Sequence, residues 1–275
     1  MVRLMCVAVV VCASSAVLGQ DDPVEYEGER TRTLSDPTPR EMRRELSADR
    51  PDFTESPITV DAGVVQVELS FFDYSRNGRA ETFTLAPTNL KLGLTSDMDL
   101  QFVFEPYVDE DDGARDADGF GDIQVRLKKN IWGNDGGRTA LAVMPFVKIP
   151  TASDDLGNDH VEGGFIVPFS VEVTDRVGVG LMGELDLVYD DGDDDYDVEF
   201  IVSGVIGYDL TERLGGYAEL VLNESTESDR DLQSILGVGA TYSLSPDAML
   251  DVGVNFGLGG DADDVNLFAG MTIRY

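Results

Sequence analysis

The sequence predicts an all-β chain, an antiparallel up-and-down transmembrane β-barrel of about 12 strands, from three observations. After Pro57, apolar residues alternate with polar or small ones through nearly the whole chain. The alternation runs past the five or six residues common in globular strands, to the length of about 9–11 that a tilted membrane strand needs. Tight turns on one side alternate with longer, acidic connections on the other, the loop pattern of outer-membrane barrels. The chain ends on such a strand, Val265 to Tyr275, with an aromatic last residue and one apolar face.

Three spans are expected in order. Residues 1–19 read as a secretory signal peptide, because Arg3 precedes an apolar run and small residues lead to Gly19. Residues 20–57 read as a periplasmic leader and barrel lead-in. The leader is polar, proline-bearing and expected to be flexible. Asp49 to Pro57 is a compact mixture of charges, two prolines and an aromatic residue, so it is an ordered approach to the barrel and not a central strand. Residues 58–275 form the barrel.

The first strand carries Val65, Val67, Leu69 and Phe71 opposite Gln66, Glu68 and Ser70. The second, Glu81 to Leu94, is out of phase above Pro87, which predicts a bulge there. The third sets Leu100 and Phe102 against Asp99 and Gln101; the fourth sets Ile123, Val125 and Leu127 against Arg126 and Lys128. In the fifth, Val143, Val147 and Ile149 oppose Met144, Phe146 and Lys148. The sixth to tenth repeat the pattern around Val167, Leu181, Val202, Leu220 and Val238, and the eleventh sets Val252, Val254 and Phe256 against Asp251, Gly253 and Asn255. The closing strand makes twelve and removes the last free edges by pairing with Gly63 to Phe71. Turns such as Thr95-Ser96-Asp97, Thr174-Asp175-Arg176 and Ser245-Pro246-Asp247 contrast with loops such as Asp109 to Asp118 and Thr151 to Val161. An even strand count then places both termini in the periplasm.

Composition narrows the function classes. A hydrophobic content of 42% excludes a mainly disordered chain, and no run after the first segment is long and apolar enough for a spanning helix. The net charge of −33 excludes binding nucleic acid through a phosphate-neutralising patch. Cys6 and Cys12 both lie in the signal segment, so the mature chain is expected to have no disulfide and no thiol chemistry.

The apolar face, almost free of charge, is assigned to lipid, where Lys or Arg at the midplane costs about 2–4 kcal/mol. The other face then lines the lumen, and the candidate binding residues there are Lys91, Glu105, Arg126, Lys128, Lys148, Glu184 and Glu219. Lys91, Arg126, Lys128 and Lys148 form a basic arc facing carboxylates of other strands. Its plain reading is ion pairing between strands, and its functional reading is a polar or anionic constriction. In the lead-in, Arg50, Asp52 and Glu55 are expected to pair with interior charges. No catalytic, metal or cofactor site is expected. His160 has no second His or Cys for a usual zinc site and no serine nearby. The acidic runs Asp109 to Asp112 and Asp190 to Asp195 lack the complete calcium-loop spacing and read as solvated loops, with loosely held divalent cations as the secondary reading.

Asp49 to Pro57 before the first strand, Gly119-Phe120-Gly121-Asp122-Ile123 opening the fourth and Val147-Lys148-Ile149-Pro150-Thr151 closing the fifth carry a resemblance. From Asp49 to Tyr275 the chain resembles the Gram-negative outer-membrane transporters named for phenol meta-pathway degradation. The resemblance implies passive uptake or binding of small, often aromatic or hydrophobic, compounds across the cell outer membrane. Its partners would be outer-membrane lipid, the solute and the barrel assembly machinery that reads the last strand. Tyr275 stands where phenylalanine is commoner in such barrels. The competing class is a non-transporting structural or adhesive barrel whose acidic loops bind cations or a partner.

Overall fold

A computed structural model describes residues 32–154, 156–190, 192, 194–227 and 230–275. The expected signal peptide and the start of the leader lie outside these residues. Among the described residues the strands are β1 (Val65–Asn77), β2 (Ala80–Leu85), β3 (Thr88–Thr95), β4 (Met98–Phe104), β5 (Tyr107–Asp111), β6 (Asp116–Gly119), β7 (Ile123–Trp132) and β8 (Thr139–Ile149). They continue with β9 (Glu162–Thr174), β10 (Val177–Asp190), β11 (Asp195–Asp209), β12 (Leu214–Ser225), β13 (Gln233–Ser245), β14 (Ala248–Gly259) and β15 (Val265–Arg274). All fifteen belong to one antiparallel sheet.

The sheet closes where expected. β1 pairs with β15 from Gln66↔Arg274 to Arg76↔Val265, so the ring β1-β3-β4-β7 and then β8 to β15 is a barrel of twelve strands. β2, β5 and β6 are not additional staves. They extend β3, β4 and β7 beyond breaks at Ala86-Pro87, Glu105-Pro106 and Phe120 to Asp122. The pairing keeps one register across each break: Leu69↔Thr88 continues as Asp73↔Thr84, and Thr88↔Phe104 continues as Leu85↔Tyr107. Two of the breaks sit at prolines, which cannot donate to the ladder. The bulge expected at Pro87 is therefore a crease running through three neighbouring strands, without a change of register.

One expected loop is corrected. Asp109 to Asp118 is largely the β5–β6 hairpin, paired from Val108↔Gly119 to Asp111↔Asp116. β2 holds β5 at Leu85↔Tyr107 and gives the acidic run a ladder to join, which overrides the poor strand propensity of Asp.

The barrel has two unlike ends. At the turn end are the connections 96–97, 133–138, 175–176, 210–213 and 246–247, together with both ends of the described chain. At the loop end lie the crease extension and the C-terminal ends of β8, β10, β12 and β14.

Burial is inverted relative to a soluble sheet. Lys91, Gln101, Glu68 and Lys128 are almost fully buried, while Val202, Val252, Leu181 and Phe200 are about half exposed on the outer face. In water such a surface would be a large apolar patch; in lipid it is the matched face. The inner face is not uniformly polar. Met144, Phe146, Ile166 and Met182, with Ile201 against them, form an apolar cluster on the inner side of β8 to β11.

Residues 32–48, expected as flexible leader, are tied to the turn end. Leu34 donates its N–H to the Leu94 carbonyl, Thr38 donates to Ala62, and Arg44 bridges Asp61 (3.0 Å) and Asp135 (2.8 Å). Burial tends to raise the Asp247 carboxyl in the β13–β14 turn, but hydrogen bonds from Arg40 and Arg274 hold it below the usual carboxylate range. The polar composition of this segment does not leave it free, because arginines from it meet carboxylates at the barrel end.

Candidate functional site

The lead-in, residues 49–57, enters the barrel and crosses the lumen, and its backbone and side chains are bonded to inward residues of many strands. Asp49 is the central anchor. Its carboxylate receives Lys91 Nζ at 2.5 Å and Lys128 Nζ at 2.6 Å, while its N–H donates to Glu68 on β1. Lys91 also pairs with Glu68, and Lys128 donates to the Ser56 carbonyl at 2.7 Å. Taking two ammoniums and two carboxylates out of water is tolerable only because each meets an opposite charge and further hydrogen-bond partners.

Arg50 turns to the neighbouring wall. Its guanidinium donates through Nε and Nη2 to Asp251 on β14 (3.2 and 2.6 Å) and through Nη1 to Ser70 on β1 at 2.6 Å. Gly270 on the intervening β15 makes room, since a Cβ there would lie 2.5 Å from Arg50 Nη2. Glu55 takes Arg126 at 2.5 Å, and Lys128 lies 3.9 Å from its other oxygen. On the far side, Glu219 on β12 accepts the Phe53 and Thr54 N–H groups, each at 2.8 Å, and the Thr54 hydroxyl at 2.5 Å; that hydroxyl also meets Ser203 on β11. Pro57 and Thr59 follow, bonded to Asn130 and Asn134.

The candidate residues thus separate. Arg50, Glu55, Lys91, Arg126, Lys128 and Glu219 come together around residues 49–57. The basic arc of Lys91, Arg126 and Lys128 is neutralised mainly by the lead-in and not, as expected, by other strands, although Lys91 keeps Glu68. Lys148 behaves as expected of a wall residue and pairs with Glu162 on β9. Glu105 lines a separate cavity of about 300 Å3 near the crease, with Asp122 and Lys148. Glu184 stands above the apolar cluster, opposite Ile166 and Ile201 in the ladders. Asp52 is corrected: among the described residues it makes no ion pair, and the charges that act most on it, Glu219, Asp49 and Glu55, are like its own.

Sequence reasoning missed Asp49 as the anchor, although its place beside Arg50 in a charged, proline-bounded segment was visible. It also missed Tyr217, which points inward on β12 over Gly239 and Gly253 of the next strands. His160 stacks on Tyr189 with ring centroids 3.4 Å apart, and its Nδ1 lies 2.6 Å from the Asn158 carbonyl oxygen, a structural placement in the β8–β9 loop. Among the described residues no group of three or more His, Cys, Asp or Glu is arranged to hold a metal ion.

Comparison with known proteins agrees with this architecture. An outer-membrane channel from Pseudomonas putida F1 superposes with a TM-score of 0.60 at 13% identity, covering 83% of this chain and 100% of that one. The NanC porin gives 0.55 at 12% identity over 76% of this chain and 98% of that one, and the KdgM porin gives 0.52 at 9% over 77% and 99%. At these identities the likeness is one of fold. In sequence, a 118-residue stretch is 32% identical to the urease accessory protein UreD of Paenarthrobacter aurescens (strain TC1). It covers 42% of this chain and spans only 37% of that protein's length. The family described as "Putative MetA-pathway of phenol degradation" matches residues 48–275, from the residue before Asp49 to the last, and the chain belongs to that family.

Proposed function

We propose that this protein is an outer-membrane barrel for passive uptake or binding of small molecules, hydrophobic or aromatic compounds among them, in which residues 49–57 act as a plug. The single observation that carries the reading is the match of charges across the lumen: Asp49 with Lys91 and Lys128, Arg50 with Asp251, and Glu55 with Arg126. A barrel that had only to be stable could fill its interior with apolar side chains at similar or lower free energy. Ionic latches that a shift of the plug would break and re-form suit a gate instead. Twelve strands enclose more than the side-chain-filled barrels of eight and less than open porins of sixteen, so one short segment suffices to close the lumen.

Further features support the assignment to the outer membrane. The outer face is apolar, and the turn and loop ends differ as in barrels inserted from the periplasm, with both termini on the periplasmic side. The final strand ends on Tyr275 and is read by the assembly machinery. No chemistry on the solute is required. Liposome swelling tests the reading: proteoliposomes of a variant lacking residues 49–57 should swell in small neutral solutes faster than those of the intact protein. Swelling at the protein-free rate for both would identify a structural barrel instead.

A further inference from the structure

The ion pairs between plug and wall are not equally made. Both oxygens of Asp49 are taken, by Lys91 and Lys128, and both oxygens of Asp251 are taken by Arg50. Glu55 is bonded through one oxygen, to Arg126 at 2.5 Å. Its other oxygen is enclosed, has no hydrogen-bond partner among the described residues, and lies 3.9 Å from Lys128. Arg126 is also the freer cation, with 17% of its side chain exposed against 2% for Lys91 and 0% for Lys128. The Glu55–Arg126 pair is therefore the contact that can part with least loss.

A second acceptor for Arg126 stands across the same wall. The ladders set Arg126 on β7 beside Phe146 on β8, Phe146 beside Gly164 on β9, and Gly164 beside Asp186 on β10. A Cβ on Gly164 would press on both the Phe146 ring and Asp186 Oδ1, so ring and carboxylate lean toward each other over the bare position. That Asp186 oxygen is enclosed and has no hydrogen-bond partner, although buried polar groups are nearly always satisfied. Glu199, next in the row, is already bonded to Arg230. A guanidinium carried across the face of Phe146 would meet an open carboxylate oxygen.

The row also lies between two cavities. Gln124 and Lys148, the inward pair one step toward the loop end from Arg126 and Phe146, line the cavity of about 300 Å3 near the crease. Ser170 on β9 and its partner Gly180 on β10, toward the turn end, line a cavity of about 480 Å3 beside the plug. Between the two stand Arg126 and the apolar cluster of Met144, Phe146, Ile166 and Met182.

We propose that Arg126 is a two-position latch: it holds the plug while bonded to Glu55, and releases it by crossing Phe146 to Asp186 while Glu55 turns to Lys128. Lys128 can receive it, since Asp49 and the Ser56 carbonyl take two of its three donors. Each charge has a partner in both positions, so no buried charge is stranded by the exchange. Asp49 and Arg50 keep their bonds, and only the Glu55 end of the plug moves, which joins the two cavities along β7 to β10. The inference rests on the passage reading for what the exchange does, not for whether it occurs.

Full-length variants in planar bilayers test it. Glu55→Gln frees Arg126 and should raise the fraction of time spent open about tenfold. Asp186→Asn removes the second position and should lower that fraction about tenfold, and Asp186→Glu, which keeps a carboxylate, should restore it. A wall residue with a merely structural role would not shift openings downward. A double-mutant cycle of Arg126→Ala and Asp186→Asn, read by chemical denaturation, is independent of current. It should show a coupling of about tenfold in the folding equilibrium in the Glu55→Gln background and little in the intact protein. No coupling in that background overturns the proposal, as do equal openings of Asp186→Asn and the intact protein where the variant lacking residues 49–57 conducts. Coupling without any current, even from that variant, refutes passage and leaves the latch standing.

Discussion

The plug meets two halves of the barrel in different ways. Toward β14, β15, β1, β3, β4 and β7 it is latched by charge, with Asp49, Arg50 and Glu55 each within ion-pair distance of a wall residue. Toward β8 to β13 its hydrogen bonds, among the described residues, go to Glu219, Ser203 and Met182, and a cavity with a glycine-lined wall lies beside residues 50–52. The segment is thus held by ion pairs on one side and by hydrogen bonds of residues 53–54 on the other, with the cavity only beside residues 50–52.

The largest test of that contrast is on the latched side. Asp49→Asn removes the shared partner of two buried ammoniums, and breaking a buried pair from one side typically costs about 3–5 kcal/mol. Chemical denaturation of the folded barrel should register most of it, unless the plug swings out, in which case protease should cleave near residue 50. No loss of stability together with no cleavage would show that the latch carries no energy. A smaller effect is expected on the open side: Glu219→Gln weakens the acceptor of three hydrogen bonds and should cost about 1–3 kcal/mol, visible in the same denaturation curves. Gly178→Ala should change stability by less than about 0.5 kcal/mol in either direction, since its Cβ enters open space. A large loss there would mean that the cavity wall is packed after all.

The smallest effect concerns acid. Asp247 holds Arg40 and Arg274 at the turn end, and its pKa in the fold lies below the usual 3.8. A carboxyl with a depressed pKa adds stability above its unfolded value, and that stability is lost as pH falls through the folded value. The protection factors of residues 32–48, taken against the intrinsic exchange rate at each pH, should therefore be steady from neutral pH down to about 4 and fall below it, and Asp247→Asn should show the low protection already at neutral pH. Equal protection at pH 3 and pH 6 would remove Asp247 from the anchoring of this segment.

What was legible in the sequence follows from geometry with a fixed period. A strand alternates faces at every residue, so Lys91, Lys128 and Arg126 could be placed inside and Val252 or Leu181 outside from spacing alone. Closure by the last strand followed in the same way, and Pro87 announced the crease because a proline leaves a gap in any ladder. The partners of the inward charges were not legible. Alternation says that Lys128 points into the lumen but not that an irregular segment 72 to 79 residues earlier passes within reach, since such a segment has no period to read. For this reason the basic arc was assigned to other strands and Asp49 was overlooked. The acidic β5–β6 hairpin was hidden by composition that disfavours strands. The Met144 and Ile166 cluster was hidden by the assumption that an inner face is polar throughout. Tyr217 gave no signal by itself, because its place depends on Gly239 and Gly253, which leave room for its ring on the next two strands.

The central claim is that residues 49–57 close a barrel that otherwise passes small solutes. Planar-bilayer conductance of the intact protein and of a variant lacking these residues tests it most directly. The account predicts small or intermittent currents for the intact protein and a larger, steady conductance for the variant. Equal conductance from two equally stable barrels would contradict it.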